Sequence, residues 1–558
     1  MEVTTILDTA KQALFAQQRA IQVVGQNIAN VNTPGYSRQR PEFLPARPSE
    51  SGVLKFGVTV EHVTRAYDRF LTSQVNSAAN NAAGAKTQAD LLGQVEALFN
   101  DLSLEDAGLA GTLERFFQGF QDLASNPSGI PERTVVQTQG QTVADTFHTL
   151  HKGLEDLRRN VNTVLRDELE QANRLVQQIA ELNGAIQHAE ADPHQQANTL
   201  RDERDLLLKQ LSAKVPLTAF DDEEGKMTVL LGGGRPLIDG NHANRLIATT
   251  DADDPLRTTI HMQDSQGNLS DVSHTITSGQ LAALTEIRDT LLPSLTTDLN
   301  RLAAQLTQAV NQVHSQGYGL DGSTDNAFFA PRQVTGQTPV HNAGGGTLQT
   351  VAVFDPTQLT LDEYRITFVS SGPPPTFDLV NITTGATLAA GQTYTSGAAI
   401  RFDGIEVVIS DSGTAPQPGD SFNISTIKDA AKDIAVDPGI VTHVRKIAAG
   451  ATPQPGDNTT ALALADLSAA ALIDGITLGE FYNTLVSQVG VESQSRQDDA
   501  AHQDLLLKEV ENQREALAGV SLDEEQIDLI RFQQAYNAAA QLIRVADEMA
   551  DIVVNLVR

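Results

Sequence analysis

The chain has 558 residues, which is too long for a single hydrophobic core and predicts roughly three to five domains. It contains no cysteine, which excludes disulfides, thiolate catalysis and cysteine-ligated metal, and its 5% aromatic content favours long helices over a compact enzyme core. The net charge of −31 argues against nucleic acid or an anionic lipid surface as a partner. No Sec-type leader or apolar run of membrane-spanning length is visible, so membrane insertion is not expected.

The N-terminal segment carries an apolar stripe with heptad spacing. Its members recur at alternating steps of four and three residues, which is typical of a helix that packs against another helix. We therefore expect an assembly interface that includes Val3, Leu7, Leu14, Ile21, Val24, Ile28 and Val31.

A chain-breaking turn follows the stripe. Thr33 precedes a proline and is pushed away from helical geometry, and Pro34 and Gly35 fit the central pair of a type II turn with positive φ at the glycine. Arg38 and Arg40 then place two positive charges on an otherwise acidic chain. The local pattern equally allows a plain helix terminator. The predicted signature turn comprises Asn30, Asn32, Thr33, Pro34, Gly35 and Tyr36.

The middle of the chain alternates between helical and β-type patterns. Apolar periodicity predicts three parts of one helical bundle, at 59–212, 283–330 and 428–517. Short alternating runs separated by turn residues predict mainly antiparallel β domains at 213–282 and 331–427. The predicted fold class is therefore multidomain α + β, with β domains inserted into a long helical bundle.

The C-terminal segment repeats the heptad pattern of the N-terminal one. Two matched stripes at opposite ends of a chain favour pairing with each other, and antiparallel pairing if the chain enters and leaves through one stalk. We expect 1–58 and 518–558 to form the two halves of an inner coiled-coil domain. The alternative is that each stripe packs on its nearest globular domain. The expected C-terminal interface residues are Leu529, Phe532, Tyr536, Ile543, Val553 and Val557.

Chemistry-bearing residues do not combine into a recognisable site. The 12 histidines are scattered, and the sequence has no HExxH, GxSxG or P-loop motif. The segment 321–326 (DGSTDN) resembles a calcium loop but lacks the terminal glutamate, which favours an ordinary loop. His314 is expected to contact the C-terminal end of its own helix. We predict no catalytic residues, no cofactor, no metal and no enzymatic activity.

Segments at both ends of the chain resemble one protein family. Residues 29–40 (ANVNTPGYSRQR) look like the N-terminal signature of bacterial flagellar axial proteins, and 519–549 resemble the C-terminal signature of the same family. The Tyr-Ser-Arg-Gln continuation is similar to the hook-associated branch, as are 197–212 and 299–322. The resemblance covers both ends and the helical layer, and it is weak over the β inserts.

The resemblance implies a structural protein of the junction ring between hook and filament. The paired terminal helices would form an inner tube, the bundle the next shell, and the β domains the outer surface. The implied partners are further copies of the chain in a ring, the hook protein, hook-associated protein 3, a cytoplasmic export chaperone and the flagellar type III export apparatus. The implied location is the extracellular flagellum.

Two alternatives stay open at this point. The chain could be another axial protein, such as hook-associated protein 3, hook or distal rod, although its length and long bundle disfavour hook and rod. It could also be a secreted β-rich adhesin with coiled-coil ends, which surface binding by residues 331–427 would favour.

Overall fold

The structure is a computed structural model in which long helices alternate with antiparallel sheets. It describes residues 2–45, 57–100, 108–191, 196–221, 226–411 and 413–556. The α-helices of this described part are α1 (Glu2–Ala29), α2 (Arg69–Asn100), α3 (Leu109–Ser125), α4 (Ile130–Ala189), α5 (Asn198–Lys214), α6 (Gly279–Glu286), α7 (Leu292–Ser315), α8 (Ala430–Asp433), α9 (Pro438–Thr442), α10 (Thr459–Ala465), α11 (Leu478–Ala518) and α12 (Leu522–Leu556).

The strands of the described part form small sheets. They are β1 (Gln39–Pro45), β2 (Val58–Arg65), β3 (Leu217–Asp221), β4 (Met227–Leu231), β5 (Arg235–Asp239), β6 (His242–Ala243), β7 (Arg245–Thr250), β8 (Thr258–Gln263), β9 (Leu269–Asp271), β10 (Tyr318–Gly319), β11 (Thr335–Gln337), β12 (Gly346–Val353), β13 (Glu363–Ser370), β14 (Thr376–Asn381), β15 (Thr387–Thr393), β16 (Ala399–Phe402), β17 (Ile405–Asp411), β18 (Ser421–Ser425) and β19 (Ala448–Gly450). All the described pairings between these strands are antiparallel.

Helix α4 is the central element of the helical bundle. It runs unbroken for 60 residues, and its apolar stripe from Val136 to Ile179 lies in one hydrophobic core with residues of α3, α5, α6 and α7. Helices α2 and α11 pack along each other on the same bundle. Burial of a continuous stripe explains why α4 stays helical over a length at which propensity alone would not hold it.

The first β insert is anchored on α4 by asparagine side chains. It contains a four-stranded sheet, in the order β3-β4-β5-β6, and a three-stranded sheet, in the order β7-β8-β9. Asn183 Nδ2 donates to the carbonyl oxygens of Met227 and Gly240, at 3.0 and 2.7 Å. Asn173 exchanges two hydrogen bonds, each of 2.8 Å, with the backbone of Leu246. These amides satisfy strand-end groups that would otherwise be buried without partners.

The second β insert has a hydrophobic core of its own. A five-stranded sheet, in the order β11-β18-β13-β14-β15, and a three-stranded sheet, in the order β12-β17-β16, contribute to that core. Tyr364, Phe368 and Phe422 are fully buried there. Because alternate residues of β13 and β17 are buried, the strands show the period of two that a half-buried sheet requires.

A two-stranded hairpin joins the N-terminal helix to the bundle, and the sequence patterns do not predict it. Strands β1 and β2 pair antiparallel, with a bulge between Glu42 and Phe43. Val58 is the first residue of β2, so a domain division after residue 58 would cut the hairpin. The hairpin packs on α1, which makes it part of the connection between the terminal helices and the bundle.

His314, near the end of α7, is fully buried and joins three segments of the bundle. Its Nδ1 atom lies 2.7 Å from the carbonyl oxygen of Asn326, and its Nε2 atom accepts a hydrogen bond of 2.9 Å from the backbone N–H of Ala448. The expectation that it contacts the C-terminal end of its own helix is therefore wrong for the side chain. Burial lowers the pKa of His314 to about 4, because a charged imidazole would lose its hydration there.

This burial predicts an acid-sensitive contribution to stability. The unfolded chain binds a proton at His314 near pH 6.5 and the folded chain only near pH 4. The stabilisation that neutral His314 provides is therefore complete above about pH 6.5. It is lost as the pH falls towards 4, which lowers the free energy of unfolding by about 3 kcal/mol in total. We expect the difference in unfolding temperature between the wild type and the His314→Gln variant to become smaller as the pH falls from 6.5 to 4.

The control for this experiment is His502→Gln, which removes an exposed histidine. Its unfolding temperature should follow that of the wild type at every pH. A gap between wild type and His314→Gln that stays constant from pH 7 to pH 4 would contradict the assignment.

Candidate assembly interface

The two terminal helices lie against each other in antiparallel orientation. Helix α1 packs along α12, and the last turn of α1 meets the first turn of α12 through a contact between Asn27 and Glu525. The hairpin adds to this contact, because the rings of Phe43 and Phe532 lie with centroids 5.9 Å apart. The chain therefore enters and leaves this unit at the same end.

The predicted stripe of α12 lies mostly on its covered face. Leu529, Phe532, Tyr536 and Ile543 are half-buried, and Ala539 and Ala546 between them are buried. Val553 lies in the helix, but its side chain is outside the description, and Val557 falls outside the described residues. The structure thus brings the described predicted residues of α12 to one face.

The predicted stripe of α1 is only partly covered. Val24 is buried, and the structure leaves Leu7 40% exposed. The half-buried members are Leu14, Ile21, Ile28 and Val31. Val3 lies in α1, with its side chain outside the description.

The most buried column of α1 lies one position away from the predicted stripe. It consists of Ala16, Ala20, Val23 and Asn27, which are at most 4% exposed. Three of these residues are small or polar, so a search for large apolar residues does not find them. Small side chains let the backbone of α1 approach its neighbours closely, which brings the two terminal helices and the hairpin together.

Large apolar side chains remain exposed on the other faces of both helices. On α12, Leu542, Val545, Met549 and Ile552 recur at steps of three and four, and they are 40 to 58% exposed. We call these four residues the outer face of α12. On α1, Phe15 is 57% exposed. An apolar stripe of this kind on a helix that already has a partner indicates a further contact surface.

The signature turn has the geometry that its sequence requires. Gly35 has a φ of 82°, and the backbone N–H of Tyr36 donates to the carbonyl oxygen of Thr33 at 3.2 Å, which closes the turn. A Cβ atom at Gly35 would lie 3.2 Å from Leu206 Cβ on α5, so a side chain here would be strained and crowded. Thr33 Oγ1 also donates to Asn30 Oδ1, at 3.1 Å.

Asn27 connects this turn to the C-terminal helix. Its Nδ2 group donates to the carbonyl oxygen of Gln39 and to Glu525 Oε2, both at 2.9 Å. Its Oδ1 atom accepts from the Tyr36 hydroxyl at 2.9 Å and from the Gln39 backbone N–H at 3.0 Å. Every hydrogen-bonding position of this buried amide is used, so its side chain fixes the turn, the hairpin and α12 relative to one another.

Arg38 adds an ionic contact at the same place. Its guanidinium pairs with Glu524, with Glu525 at 2.6 Å and with Asp528 at 3.4 Å. The contact with Glu525 is an ion pair rather than an aligned hydrogen bond, and the Glu525 side chain is 1% exposed. The backbone N–H of Arg38 donates to the carbonyl oxygen of Ala518 at 2.8 Å. We call Asn27, Tyr36, Arg38 and Glu525 the clasp.

A second buried cluster attaches the hairpin to the bundle. Arg65 Nη1 lies 3.0 Å from Asp202 Oδ1 and 2.6 Å from Asp205 Oδ2. The backbone N–H of Ser37 donates to Asp202 Oδ2 at 3.0 Å. Burial raises the pKa of Asp205, and the positive charge of Arg65 opposes that rise. The helix α5 therefore holds both the signature turn and the second strand of the hairpin.

Neither a metal centre nor a membrane span is found in the part of the chain that the structure describes. No group of three or more histidine, aspartate or glutamate side chains there is placed to hold a metal ion. No helix of the described ranges has both the length and the apolar character to cross a membrane.

Three models of flagellar protein families match parts of the chain. Residues 92–329 match the model described as flagellar hook-associated protein FlgK helical domain. Residues 7–36 match the flagella basal body rod protein model, and 515–556 match the C-terminal model of the flagellar basal body rod FlgEFG proteins.

Curated relatives match over the whole chain. Flagellar hook-associated protein 1 of Salmonella typhimurium is 29% identical over 99% of this chain and 100% of its own length. The proteins of the same name from Escherichia coli and Bacillus subtilis are 28% and 26% identical, over 99% and 98% of this chain and 100% and 97% of their own lengths. The chain is therefore similar, over its whole length, to proteins named flagellar hook-associated protein 1.

A solved structure supports the fold. The flagellar hook junction protein FlgK from Burkholderia pseudomallei matches with a TM-score of 0.67 and 20% identity, over 80% of this chain and all of that one. The predicted α + β fold class and the predicted similarity to flagellar hook-associated protein 1 are confirmed. The coiled-coil detail stays a prediction.

Asn27, Arg38 and Glu525 are not among the site residues predicted from the sequence of this chain. Arg38 carries a local signal, as a basic residue directly behind the signature turn of an acidic chain. No local sequence pattern marks Glu525, because its partner Arg38 lies almost the whole length of the chain away. The contact between them follows only from the fold.

Substitution of Arg38 should loosen the terminal helices. In Arg38→Met, Glu525 stays buried without its cation, and loss of one partner of a buried ion pair costs about 3 to 5 kcal/mol. We expect faster amide hydrogen exchange in the hairpin and in the first turns of α12, with the bundle unchanged. The measurement is hydrogen exchange followed by mass spectrometry on the full chain.

Arg40→Met is the matched control, because Arg40 is exposed and lies two residues further along the chain, in β1. It should exchange like the wild type. If Arg38→Met and Arg40→Met showed equal amide hydrogen exchange in the hairpin and in the first turns of α12, Arg38 would not hold the terminal helices together.

Proposed function

We propose that copies of this chain form a ring at the junction between flagellar hook and filament, and that α1 and α12 build its inner layer. The observation that carries this proposal is the outer face of α12. The helix already covers one apolar face with α1 and the hairpin, and the outer face remains 40 to 58% exposed. A second apolar face on a paired helix fits a neighbouring copy.

The clasp supports a fixed arrangement of this inner layer. Buried polar contacts hold the end of α1 against the start of α12, and the Arg65 cluster holds the hairpin on α5. The apolar outer face is thereby presented in a constant position relative to the bundle. Such rigidity favours a repeating assembly, because less conformational entropy is lost when copies associate.

The signature turn remains available to a neighbour in this arrangement. Asn32, Thr33 and Pro34 are exposed and line a groove of about 590 Å³ between the turn and residues 514–524. The groove is mostly polar, which fits a contact that forms after the chain has folded. We propose that this groove takes part in contacts within the ring or with the adjacent axial protein.

The proposed partners follow from the similarity to flagellar hook-associated protein 1. They are the hook protein on one side, hook-associated protein 3 on the other, an export chaperone and the flagellar type III export apparatus. Burial of the outer face by a chaperone would prevent association inside the cell. We propose an extracellular location at the hook–filament junction, with the β inserts on the outside, and a non-catalytic role, since the relatives are structural proteins of the flagellum.

The outer face is tested with a charge placed inside it. Leu542→Asp should leave the unfolding temperature of the monomer within about 1 °C of the wild type, because the side chain is half-exposed in the free chain. In cells that lack their own copy, we expect the variant to be released into the medium while no filaments form. Electron microscopy of the cells and immunoblotting of the medium measure the two effects.

Gln533→Asp is the control, because it adds the same charge at an exposed polar position of the same helix. Filaments should form with this variant. Normal filaments with Leu542→Asp, or failure of both variants, would contradict the role of the outer face.

A further inference from the structure

Arg133 is a buried arginine without a carboxylate partner in the described part of the chain. It is 1% exposed, and its Nη1 group donates to the carbonyl oxygen of Pro127 at 2.8 Å. Its Nε group is buried and has no hydrogen-bond partner. Burial lowers the pKa of Arg133 to about 10, so the guanidinium still carries its charge at neutral pH. A buried charge of this kind is costly unless an opposite charge accompanies it.

The position of Arg133 in the helix makes the charge less favourable still. It lies in the first turn of α4, where the unpaired backbone N–H groups of a helix concentrate positive potential. The residue before this helix, Gly129, provides no side-chain cap. A cation at this end of a long helix is the opposite of the arrangement that the helix dipole favours.

The carboxylates around this guanidinium are engaged elsewhere, and Glu132 Oε1 accepts a hydrogen bond of 2.9 Å from Asn126 Nδ2. Asp321 accepts hydrogen bonds from the backbone and hydroxyl of Ser323, and Asp457 accepts from the backbone and hydroxyl groups of Thr452 and Thr459. None of these three carboxylates forms an ion pair with Arg133 among the described contacts. Asp321 and Glu132 still act on the guanidinium at a distance, since their charges raise the pKa of Arg133 that burial lowers.

A small cavity adjoins the guanidinium. Its volume is about 20 Å³, and its wall includes Arg133, Pro127, residues 318–320 and residues 449–457. This volume holds one water molecule or one monatomic ion, and it is too small for phosphate or sulfate. A water molecule would leave the guanidinium without an anion in direct contact, whereas a halide would provide one.

We propose that this cavity is a chloride site, in which Arg133 is the cationic ligand. The ion would lie where the start of α4 meets the loops around residues 318–320 and 449–457. Direct contacts already bring these segments together, because Ser128 Oγ donates to the carbonyl oxygen of Pro455 at 2.6 Å and Asn458 Nδ2 donates to that of Ala124 at 2.8 Å. Bound chloride stabilises this end of the bundle.

The first test compares salts at equal ionic strength on the full chain. We expect the wild type to unfold about 2 to 4 °C higher in sodium chloride than in sodium gluconate, with saturation as the chloride concentration rises. Arg133→Met should lose this difference, because a neutral side chain of similar length needs no counterion. Arg159→Met, which removes an exposed arginine of the same helix, should keep it.

Equal chloride dependence in the wild type and Arg133→Met would mean a nonspecific salt effect and would overturn the proposal. A bromide soak of wild-type crystals decides the matter if Arg133→Met does not fold. An anomalous peak within hydrogen-bonding distance of the Arg133 guanidinium supports the site. Density for water alone in the cavity contradicts it.

Discussion

The buried polar contacts of the clasp fix the point at which the two ends of the chain meet, and the rest of the proposed assembly depends on that point. Asn27 and Arg38 both contact Glu525, across nearly 500 residues of sequence. Apolar contacts along two helices tolerate sliding by a turn, since one alanine or leucine replaces another. The Asn27 amide, with four satisfied hydrogen bonds, does not tolerate such sliding. The clasp therefore sets the register of α1 and α12.

The connection between the terminal helices and the bundle rests on the same kind of interaction. The attachment of the hairpin to the bundle uses Arg65 with Asp202 and Asp205 on α5. Burial of these charges is tolerable because each has an opposite charge within 3.0 Å. The ends are thus held by specific polar pairs, while the bundle itself is held by a continuous apolar core.

The sequence predicts the helical elements well because their apolar residues recur with a clear period. The stripe of α4 and the stripe of α12 lie in the structure where periodicity predicts them. The buried column of α1 is displaced because Ala16 and Ala20 are compatible with both buried and exposed positions, and only the closeness of α12 and the hairpin decides between them.

The sequence does not predict the β1–β2 hairpin, for a different physical reason. Strand β1 contains Pro41 and Pro45, which interior strands avoid, and a bulge interrupts the alternation of its residues. A strand with a single neighbour tolerates both features. The partners of Arg38 are equally hidden, because the sequence shows a basic residue near a turn but not the acidic first turn of a helix at the other end of the chain.

The distribution of side-chain sizes on the terminal helices bears on how the inner layer assembles. The most buried positions of the pair are small, as at Ala20, Ala539 and Ala546, whereas large apolar residues such as Phe15, Leu542 and Ile552 are left exposed. A free-standing helix pair would place its large residues inside, because buried apolar area provides most of the stabilisation. Much of the apolar area of these helices is therefore available only to a further partner. Because the clasp holds α1 and α12 in register, their exposed apolar area keeps a fixed angle to the bundle. A fixed angle is the condition for every copy to bind the next copy in the same way.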